Sequence, residues 1–484
     1  MDIVLLHKDL RMRDNPALYN ASLRGKYIVL YPLDYDYWNN NGYSIRQLNF
    51  VDQSLEELNN ELQKINSKIY IFQEPLEDLI IWIENNFPDS IIHLNHSTDV
   101  YEYRQSIFKL KNYFHRQGRI RCYENFGIQT SKIDREIWSK NWFKIMNSKV
   151  LGQPFRNKKN VSVSLLPYEK ISKLIKKKLP TDSSFQRGGE KEALKLLQSF
   201  LSQRAEGYAI KMSNPIDSQI SCSRLSPHIS HGSISLKFIY QTLMSEITKS
   251  NFKKDLISFK KRLHWHCHFI QKLQTEPELE FKSMHSMCDD LRHNIDSELI
   301  EKWIKGETGF PFLDACLIFL RKNGWINFRM RAMIMSFASY NLWQPWQKTS
   351  PLLAEMFVDY EPGIHICQVQ MQSGVTGINL PRIYSVIKQS IDQDPDSFFI
   401  KSQIKKLNKI CPELIHNCEL DSYYREKIID PVATAKKARE TIWSIRSQDS
   451  FKKISKEVYL QHGSRFKKNN SKQKRKQNQI KFQA

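Results

Sequence analysis

The sequence predicts two domains of different class: an α/β N-terminal domain built on a Rossmann-like parallel sheet, and an all-α domain after it. In residues 1–130, short apolar runs alternate with amphipathic stretches, and strands that alternate with helices form a parallel sheet covered on both faces. From residue 188 onward, apolar residues recur at positions i, i+3 and i+4, the spacing of a helix face. The sequence between them, 131–187, mixes Pro, Ser and Lys without a steady period, and we interpret it as a linker.

The elements of the first domain follow from its hydrophobic pattern. Apolar runs typical of buried strands occupy 3–7, 27–34, 68–73 and 90–95. Stretches with helical spacing of apolar residues lie between them, at 45–65 and 76–86. A parallel sheet of this kind binds ligands at the carboxyl ends of its strands.

The all-α domain is predicted to occupy 188–455. Its amphipathic segments include "LISFKKRLHWHCHFIQKL" and "INFRMRAMIMSFASYNLW". Residues 456–484 are expected to form a basic, disordered tail. A segment of low hydrophobicity and high positive charge buries too little apolar surface to offset the entropy lost on ordering.

The charge of the chain points to a polyanionic partner. The formal net charge is +22 over 484 residues, and a charge of this size attracts polyanions through the summed field of the surface. Nucleic acid is the leading candidate, through phosphate neutralisation and counterion release. An anionic membrane surface is the rival, and a Lys-rich surface without a specific partner is the third interpretation.

The eight cysteines include no CxxC pair, the spacing typical of structural zinc and of many iron–sulfur clusters. The chain opens on the strand-like "DIVLLH" rather than on a signal peptide. No apolar run reaches the roughly 18 residues of a membrane span. We therefore expect a cytoplasmic protein with reduced thiols, no bound metal and no membrane association.

The stretch "LHWHCHF", residues 263–269, is the cluster that raises the question of metal. Helical spacing puts His264, Cys267 and His268 on one face, and three such ligands can hold zinc. The alternative is that this helix forms the wall of a pocket that is rich in histidine.

The loop "HKDLRMRDNPAL", residues 7–18, follows the first strand. Asp14 or Asn15 can serve as the N-cap of the helix that follows, and Pro16 suits the first turn of that helix. By local physics alone, this is a well-formed helix start.

The same loop resembles the opening signature of the photolyase/cryptochrome family, and later stretches agree with that family in order and spacing. These stretches are "GGEKEALKLLQSFL", "SCSRLSPHISHGSIS", "GETGFPFLDACLIFLRKNGWINFRMRAM" and "DYEPGIH…QMQSGVTGIN". The resemblance covers about residues 1–450 and implies an α/β antenna domain followed by a helical domain that holds FAD. The cysteine spacing sets the chain apart from the iron–sulfur subgroup of the family.

The resemblance assigns residues to the FAD. The stretch 221–235 supplies hydroxyls, backbone N–H groups and an Arg at a helix start, where the helix dipole favours a pyrophosphate; a capped helix after a loop is the alternative. The family match places near the phosphates Tyr208, Cys222, Ser223, Arg224, Leu225 and Ser226. It pairs Arg331 with Asp359 and places Glu361 near the isoalloxazine or ribityl groups.

On the lesion side, the resemblance keeps Trp265 as the residue that stacks on a damaged base. His266 stands where the family often has Arg near the flavin, and Arg262 replaces a pocket Glu, so both are candidate cofactor contacts. Ala332 and Val369 replace larger pocket residues of well-known cyclobutane-dimer photolyases. These departures leave the lesion type open.

The resemblance also implies DNA contacts and an electron relay. Arg329 and Arg382 match positions that hold DNA phosphates, and Lys388 lies close to them in sequence. Of the three relay tryptophans of the family, only Trp346 matches, at the middle position, while Cys367 stands at the proximal one. We therefore expect photoreduction of the flavin to be slow or rerouted.

The implied enzyme is a deoxyribodipyrimidine photolyase, a carbon–carbon lyase that acts on UV-damaged DNA, and we expect a monomer. Excited reduced FAD would donate an electron to a flipped-out pyrimidine dimer and split it, with the cyclobutane dimer favoured over the 6-4 product. The alternative is a cryptochrome-type blue-light photoreceptor that binds FAD without repair. A third is a flavin-binding structural relic or a nucleic-acid binder without photochemistry. A second antenna chromophore, whether a folate, a deazaflavin or a ribolumazine, is not assigned by the sequence.

Overall fold

The first 130 residues form the predicted α/β unit. The computed structural model of the chain describes residues 1–130, 134–159, 161, 163–175, 185–420 and 423–464. The strands are β1 (Asp2–Leu5), β2 (Tyr27–Pro32), β3 (Ile69–Phe72), β4 (Ile91–Asn95) and β5 (Ile120–Tyr123). The helices of this unit are α1 (Pro16–Leu23), α2 (Tyr35–Asn40), α3 (Ile45–Lys64), α4 (Leu79–Asn86), which follows a 3₁₀ turn at Leu76–Asp78, and α5 (Tyr101–Arg116).

All strand pairs of the sheet are parallel, in the order β3-β2-β1-β4-β5. The central strand β1 is buried on both faces, since Ile3 and Leu5 pack on the side of α4 and α5 while Val4 packs on the side of α1 and α3. The four predicted strands are present. The fifth, β5, has no clear apolar signal, because it is a short edge strand that exposes Arg121.

The predicted start of α1 is confirmed. The Asn15 side chain accepts a hydrogen bond from the Leu18 N–H at 3.1 Å, and Pro16 is the first residue of the helix. Asp14 does not cap the helix; its Oδ1 accepts from the Leu151 N–H at 2.9 Å instead.

The segment predicted as an irregular linker contains two helices, α6 (Arg135–Met146) and α7 (Ile171–Leu174). The expectation of irregular structure therefore does not hold for α6. Trp138, Trp142 and Met146 bury this helix in the same apolar cluster as the helices that follow residue 188. Parts of the predicted linker, 131–133, 160, 162 and 176–184, lie outside the described residues.

The remainder of the described chain is helical, as predicted. Its helices are α8 (Glu190–Ser199), α9 (Tyr208–Lys211), α10 (Ser218–Ser221), α11 (Ser226–Ser230), α12 (Leu236–Ile247), α13 (Lys253–Thr275), α14 (Ser297–Lys305), α15 (Pro311–Asn323), α16 (Phe328–Ser336), α17 (Trp346–Met356), α18 (Pro362–Ser373), α19 (Val386–Gln393), α20 (Phe398–Gln403), α21 (Pro412–Asn417), α22 (Pro431–Arg446) and α23 (Asp449–His462). Two π-helical turns, Phe200–Arg204 and Phe337–Asn341, and three 3₁₀ turns, Pro277–Glu280, Ser286–Leu291 and Lys405–Leu407, complete them.

The last helix crosses a predicted boundary. The tail was placed at 456–484, but α23 continues to His462 because Phe451 and Val458 are buried in the core of the helical domain. Residues 465–484 lie outside the described part of the chain. Within that described part, none of the helices combines the length and the apolar character needed to cross a bilayer.

The loop that follows β1 fastens the sheet to the helical domain. Arg11 is buried and its Nη1 donates to the Gly232 carbonyl at 3.1 Å. Glu190 accepts from the backbone N–H of Met12 at 2.8 Å and of Arg13 at 3.2 Å. The two units thus meet through hydrogen bonds between side chains and the backbone. The close approach of Lys8 to Gly232 leaves no room for a side chain at that glycine.

We predict that Gly232→Ala destabilises the protein more than Gly118→Ala. Both glycines have positive φ, +72° and +70°, but a Cβ at Gly232 would lie 2.0 Å from the Lys8 carbonyl oxygen, whereas at Gly118 nothing lies within 4 Å. Left-handed backbone alone costs about 1–2 kcal/mol for Ala, and overpacking adds about 1–3 kcal/mol at Gly232. Urea titration of both variants measures the difference; equal unfolding midpoints would contradict the tight contact.

Candidate functional site

A cavity of about 910 Å³ opens in the helical domain, near the upper end of the range of about 300–1,000 Å³ for cofactor and ligand sites. We call it the larger cavity. The predicted cofactor residues on its wall are Tyr208, Cys222, Ser223, Arg224, Ser226, Arg262, His266, Arg331, Asp359 and Glu361. The remaining one, Leu225, is 0% exposed and belongs to the apolar core, so its side chain is not available to a ligand.

The long helix α13 forms one wall of the larger cavity and explains the histidine-rich stretch. Leu263 and Trp265 line the cavity, whereas the His264 ring lies 4.9 Å from the Trp138 ring and 4.9 Å from the Trp142 ring, on the side of α6. His264 is therefore not one of the polar groups around the cavity.

The geometry gives the zinc alternative no support. The Cys267 thiol donates to the Phe126 carbonyl, and His268 Nδ1 lies 2.7 Å from Arg135 Nη2, a cation that would repel a metal ion. Within the described residues, no group of three His, Cys, Asp or Glu side chains is placed to hold a metal. His266 and His268 line the larger cavity instead.

The Arg331–Asp359 pair that the resemblance implies is present. The two side chains form a bidentate contact, with Nη1–Oδ1 at 3.0 Å and Nη2–Oδ2 at 2.9 Å. The Arg331 guanidinium also lies 4.2 Å from the centre of the Phe357 ring. Asp359 is buried and Arg331 is half-buried. The Asp359 carboxylate therefore holds the Arg331 guanidinium in a fixed position on the cavity wall and neutralises part of its charge.

Among the residues assigned to phosphate, Arg224 supplies a cation on the cavity wall. Arg224 has a left-handed backbone, with φ of 61°, and its guanidinium lies 3.9 Å from the centre of the Trp325 ring. Burial lowers the pKa of Arg224 to about 10, so it stays a cation at neutral pH. Burial raises the pKa of Cys222 to about 11, which keeps that thiol neutral.

The contribution of a helix dipole at the residues assigned to phosphate is a correction to the sequence analysis. The helix that begins at Ser226 has five residues and no side-chain cap. A dipole that sums over so few peptide units is small. A phosphate at this position would therefore be attracted mainly by the Arg224 guanidinium and by the hydroxyl groups of Ser223 and Ser226.

The structure adds a residue that the sequence analysis missed. Lys8, from the loop after β1, donates from Nζ to Glu361 Oε2 at 3.2 Å and lies 3.2 Å from Asp99 Oδ2. All three side chains are buried. The KDLR motif contained Lys8, but its partner Glu361 lies 353 residues away, so no local pattern connects them.

Burial and neighbouring charges together set the protonation of Glu361 and Asp99. Burial raises the pKa of Glu361 to about 7, against the attraction of Lys8, and the negative charge of Asp99 adds to the rise. For Asp99, burial alone would raise the pKa, but Lys8, His7 and Tyr43 together lower it below the ordinary value. Glu361 is thus the member that titrates near neutrality.

The mouth of the larger cavity carries exposed aromatic and basic residues. The Trp265 side chain is 37% exposed and its ring lies 5.7 Å from Phe269 in a stacked arrangement. Arg382 is exposed and lines the cavity. Arg329, which is half-buried, and Lys388, which is exposed on α19, do not line it.

Trp346, the predicted relay residue, is buried and does not line the larger cavity; its Nε1 donates to Ser283 Oγ at 3.2 Å. Lys272, which the sequence analysis did not single out, is buried on the cavity wall. Burial lowers the pKa of Lys272. The sequence contained one signal for Lys272: it lies seven residues, or two helical turns, after Trp265 on α13, so the two side chains share a helix face.

A smaller cavity of about 460 Å³ lies at the carboxyl edge of the sheet, at the end of β1, β2 and β3. Most of its bulky wall residues are aromatic: Tyr31, Tyr37, Trp38, Tyr43, Tyr101 and Tyr103. The His7 ring stacks on Tyr103 at 3.9 Å. His7 and Lys8 follow the central strand, where the strand order reverses, which is the usual ligand position of such sheets.

Family comparisons agree with both units. Residues 2–124 match the model described as DNA photolyase, and residues 259–444 match the FAD binding domain of DNA photolyase. The chain belongs to the photolyase/cryptochrome family.

Members of this family that resemble the chain include both photolyases and cryptochromes. A deoxyribodipyrimidine photo-lyase of Alkalihalophilus pseudofirmus is 29% identical over 265 residues, which cover 52% of this chain and 54% of that protein. Cryptochrome-2 of Gallus gallus is 25% identical over 390 residues, which cover 73% of this chain and 65% of that protein. Each alignment therefore spans less than two thirds of the relative.

A solved structure of an archaeal photolyase from Sulfolobus tokodaii with two FAD molecules shares the fold. Its TM-score is 0.77 at 24% identity, over 92% of this chain and 100% of that one. The likeness extends over both the sheet and the helical domain, which agrees with the α/β plus all-α fold class.

The larger cavity fits the FAD that this domain type binds. His266 Nε2 is buried and has no hydrogen-bond partner among the described residues, and a buried polar atom of this kind needs one. The wall carries Arg224, Arg331 and Lys272 against Asp359 and Glu361. An anionic, hydrogen-bonding ligand satisfies both conditions.

We predict that Glu361 makes stability depend on pH. Its pKa rises from 4.5 to about 7 on folding, so the folded state binds more protons and loses stability as pH rises through this window. Relative to Glu361→Gln, the wild type should lose about 1–3 kcal/mol between about pH 5 and pH 8. Urea titrations across that range measure it.

Glu298→Gln is the matched control, because the Glu298 side chain is 75% exposed in a surface pair. Its unfolding free energy should stay parallel to that of the wild type at every pH. Parallel curves for Glu361→Gln as well would contradict a carboxyl that titrates near neutrality.

Proposed function

We propose that the chain binds FAD in the larger cavity and uses it, under blue light, to split pyrimidine dimers in DNA, with the cyclobutane dimer favoured over the 6-4 product. The observation that carries the proposal is one cavity that combines the compensated Arg331–Asp359 pair inside with the exposed Trp265 at its mouth. The FAD-binding domain match over 259–444 supports the cofactor. In this proposal the enzyme is a deoxyribodipyrimidine photolyase.

The pyrophosphate of the cofactor would be bound by Ser223, Ser226 and Arg224, since they bring hydroxyl donors and a cation to the cavity wall. Tyr208 and Cys222 line the same cavity. Arg262 and the main chain at Leu225 remain predictions from the family.

The flavin side would be held by His266, Arg331 and Glu361. His266 Nε2 offers an unused polar atom, and the Arg331 cation favours a negative charge nearby. When bound and excited by light, reduced FAD would supply the electron that opens the dimer. Glu361, beside Lys8, can hold or release a proton near neutral pH.

The damaged base would enter at Trp265. A dimer must leave the duplex to reach the cavity, at a cost of a few kcal/mol. Stacking on an exposed aromatic ring returns about 1–3 kcal/mol per base, and Trp265 and the exposed Phe328 both line this mouth. Arg382 on the cavity wall would contact the flanking phosphates. DNA contacts of Arg329 and Lys388, which do not line the cavity, stay predictions of the sequence.

The domain boundaries extend this proposal. We assign 1–130 to an antenna-type domain and 188–455 to the FAD-binding domain. The segments matched by the two family models, 2–124 and 259–444, lie inside these ranges and support the assignment of each domain type. A monomer in the cytoplasm and a relay role for Trp346 stay predictions of the sequence.

A cryptochrome-type photoreceptor is the second candidate, favoured by the altered lesion side. Val369 and Ala332 line the larger cavity where a repair pocket of the well-known type has larger residues, and a cryptochrome is among the similar proteins. Illumination of the chemically reduced protein with cyclobutane-dimer and 6-4 DNA, each single- and double-stranded, separates the two. Repair of none of the four substrates would exclude the photolyase and leave the photoreceptor and the protein without photochemistry.

We predict that Trp265→Ala weakens binding of dimer-containing DNA about 5–150-fold, since loss of one stacking ring costs about 1–3 kcal/mol. Fluorescence anisotropy with a dimer-bearing oligonucleotide measures the dissociation constant. Trp443→Ala is the control, because Trp443 is exposed on α22 outside the larger cavity. Equal losses in both variants would contradict a specific role of Trp265.

We further propose that the smaller cavity binds a second, antenna chromophore. Its wall is aromatic and suits a flat ligand, and the structurally similar archaeal photolyase contains two FAD molecules. The candidates are a second FAD, a folate, a deazaflavin or a ribolumazine.

We predict that Ser106→Trp abolishes binding of this second chromophore. Ser106 lies on α5 and lines the smaller cavity, so an indole there fills part of the space. Reconstitution with each candidate pigment in turn, followed by absorbance of the washed protein, gives the stoichiometry. Phe108→Trp, on the same helix but exposed outside the cavity, should keep it; no second pigment on the wild type with any candidate would refute the proposal.

A further inference from the structure

Tyr43 lies between the two cavities. It is buried at the turn between α2 and α3 and lines the smaller cavity. Its ring packs edge-on against Tyr360 at 5.2 Å, and Tyr360 lines the larger cavity. On its other side, the Trp38 ring lies 4.6 Å away and also lines the smaller cavity.

These three rings form a continuous aromatic path. Trp38 is half-buried, so one end of the path is partly exposed to solvent. The other end, Tyr360, is part of the wall of the larger cavity. By contrast, Trp346 does not line that cavity, and its Nε1 is turned to Ser283. The aromatic path therefore connects the larger cavity to the sheet edge, not to the surface of the helical domain.

Tyr43 also has a built-in proton acceptor. Its hydroxyl donates a hydrogen bond to Asp99, which is fully buried. Asp99 also contacts His7 Nε2 at 2.7 Å and Lys8 Nζ at 3.2 Å, and these groups hold it ionised. A phenol that loses an electron becomes a strong acid, so even a weakly basic carboxylate in contact with it can take the proton.

Two other tyrosine–aspartate pairs show what is particular to Tyr43. Tyr424 donates to Asp314 at 2.9 Å and Tyr168 donates to Asp52 at 2.7 Å. Neither tyrosine lines either cavity. All three tyrosines donate to a carboxylate, but of the three only Tyr43 also has a ring in contact with a residue of the larger cavity wall, Tyr360.

We propose that Tyr43 is a redox-active tyrosine that delivers an electron through Tyr360 to the larger cavity and its proton to Asp99. The inference rests on the proposed FAD. Tyr43 loses one electron to photoexcited oxidised FAD, the Tyr43 O–H bond breaks, and the proton moves along the hydrogen bond to Asp99. A neutral tyrosyl radical remains.

The radical is then reset by an external thiol. One thiolate returns one electron by way of Trp38, and the proton passes back from Asp99 to the Tyr43 oxygen. Two such events consume two thiolates and form one disulfide. This path would deliver electrons to the cofactor in place of the family's tryptophan relay, whose proximal position is occupied here by Cys367.

The test uses the full chain with oxidised FAD, blue light and dithiothreitol, and follows the loss of flavin absorbance. Tyr43→Phe should slow photoreduction at least about tenfold. Tyr424→Phe, which removes the hydroxyl of a comparable buried pair, should leave the rate unchanged. The wild-type rate should fall in D₂O because a proton moves with the electron, and Tyr43→Phe should lose that isotope effect.

Electron paramagnetic resonance of the illuminated wild type provides a reading that needs no variant. Freeze-quenched samples should contain a tyrosyl radical whose hyperfine splitting collapses when the tyrosines are ring-deuterated. Absence of that radical overturns the proposal. So does an unchanged photoreduction rate in Tyr43→Phe, above all if Trp346→Phe abolishes photoreduction instead.

This inference and the proposed function fail in different experiments. Repair by wild-type protein whose flavin was reduced with dithionite needs no photoreduction, and its failure refutes the repair function only. A normal repair rate together with normal photoreduction of Tyr43→Phe refutes the tyrosine relay only.

Discussion

The ammonium group of Lys8 is the contact on which the arrangement of both cavities depends. It lies between Asp99 at the sheet edge and Glu361 on the wall of the larger cavity. A single buried charge is costly, whereas a cation between two carboxyl groups offsets much of the desolvation of each. Separation of the sheet from the helical domain would leave the buried Glu361 without its cation, whereas Lys8 and Asp99 would keep each other. The Lys8–Glu361 contact therefore links the two units.

The same electrostatics shape the larger cavity. Arg224, Arg331 and Lys272 outnumber the acidic groups Asp359 and Glu361 on its wall. The interior therefore favours an anion, and the exposed Arg382 carries the positive charge to the rim. A flavin with its pyrophosphate inside and a DNA backbone outside both match this sign, in accord with the net charge of +22.

Sequence patterns predicted the elements with strong local signals. The buried strands, the capped start of α1 and the helical domain are present because hydrophobic period and capping act over a few residues. The Arg331–Asp359 pair came from the family resemblance. The sequence analysis missed the edge strand β5 and helix α6. Strand β5 has only four residues and one buried side chain, and α6 is buried by residues that follow position 188, so neither has a strong local pattern.

The sequence by itself determined the fold class and, through its motifs, the family. Ten of the eleven candidate cofactor residues that it named line the larger cavity. Only the tertiary structure decided which of them face it: on α13, Trp265 lies at the mouth while His264, its neighbour, packs against Trp138 and Trp142. It also decided that Lys8 and Tyr43 belong between the cavities. A helical period tells which residues share a face, but what that face meets depends on contacts between segments hundreds of residues apart, which leave no local pattern.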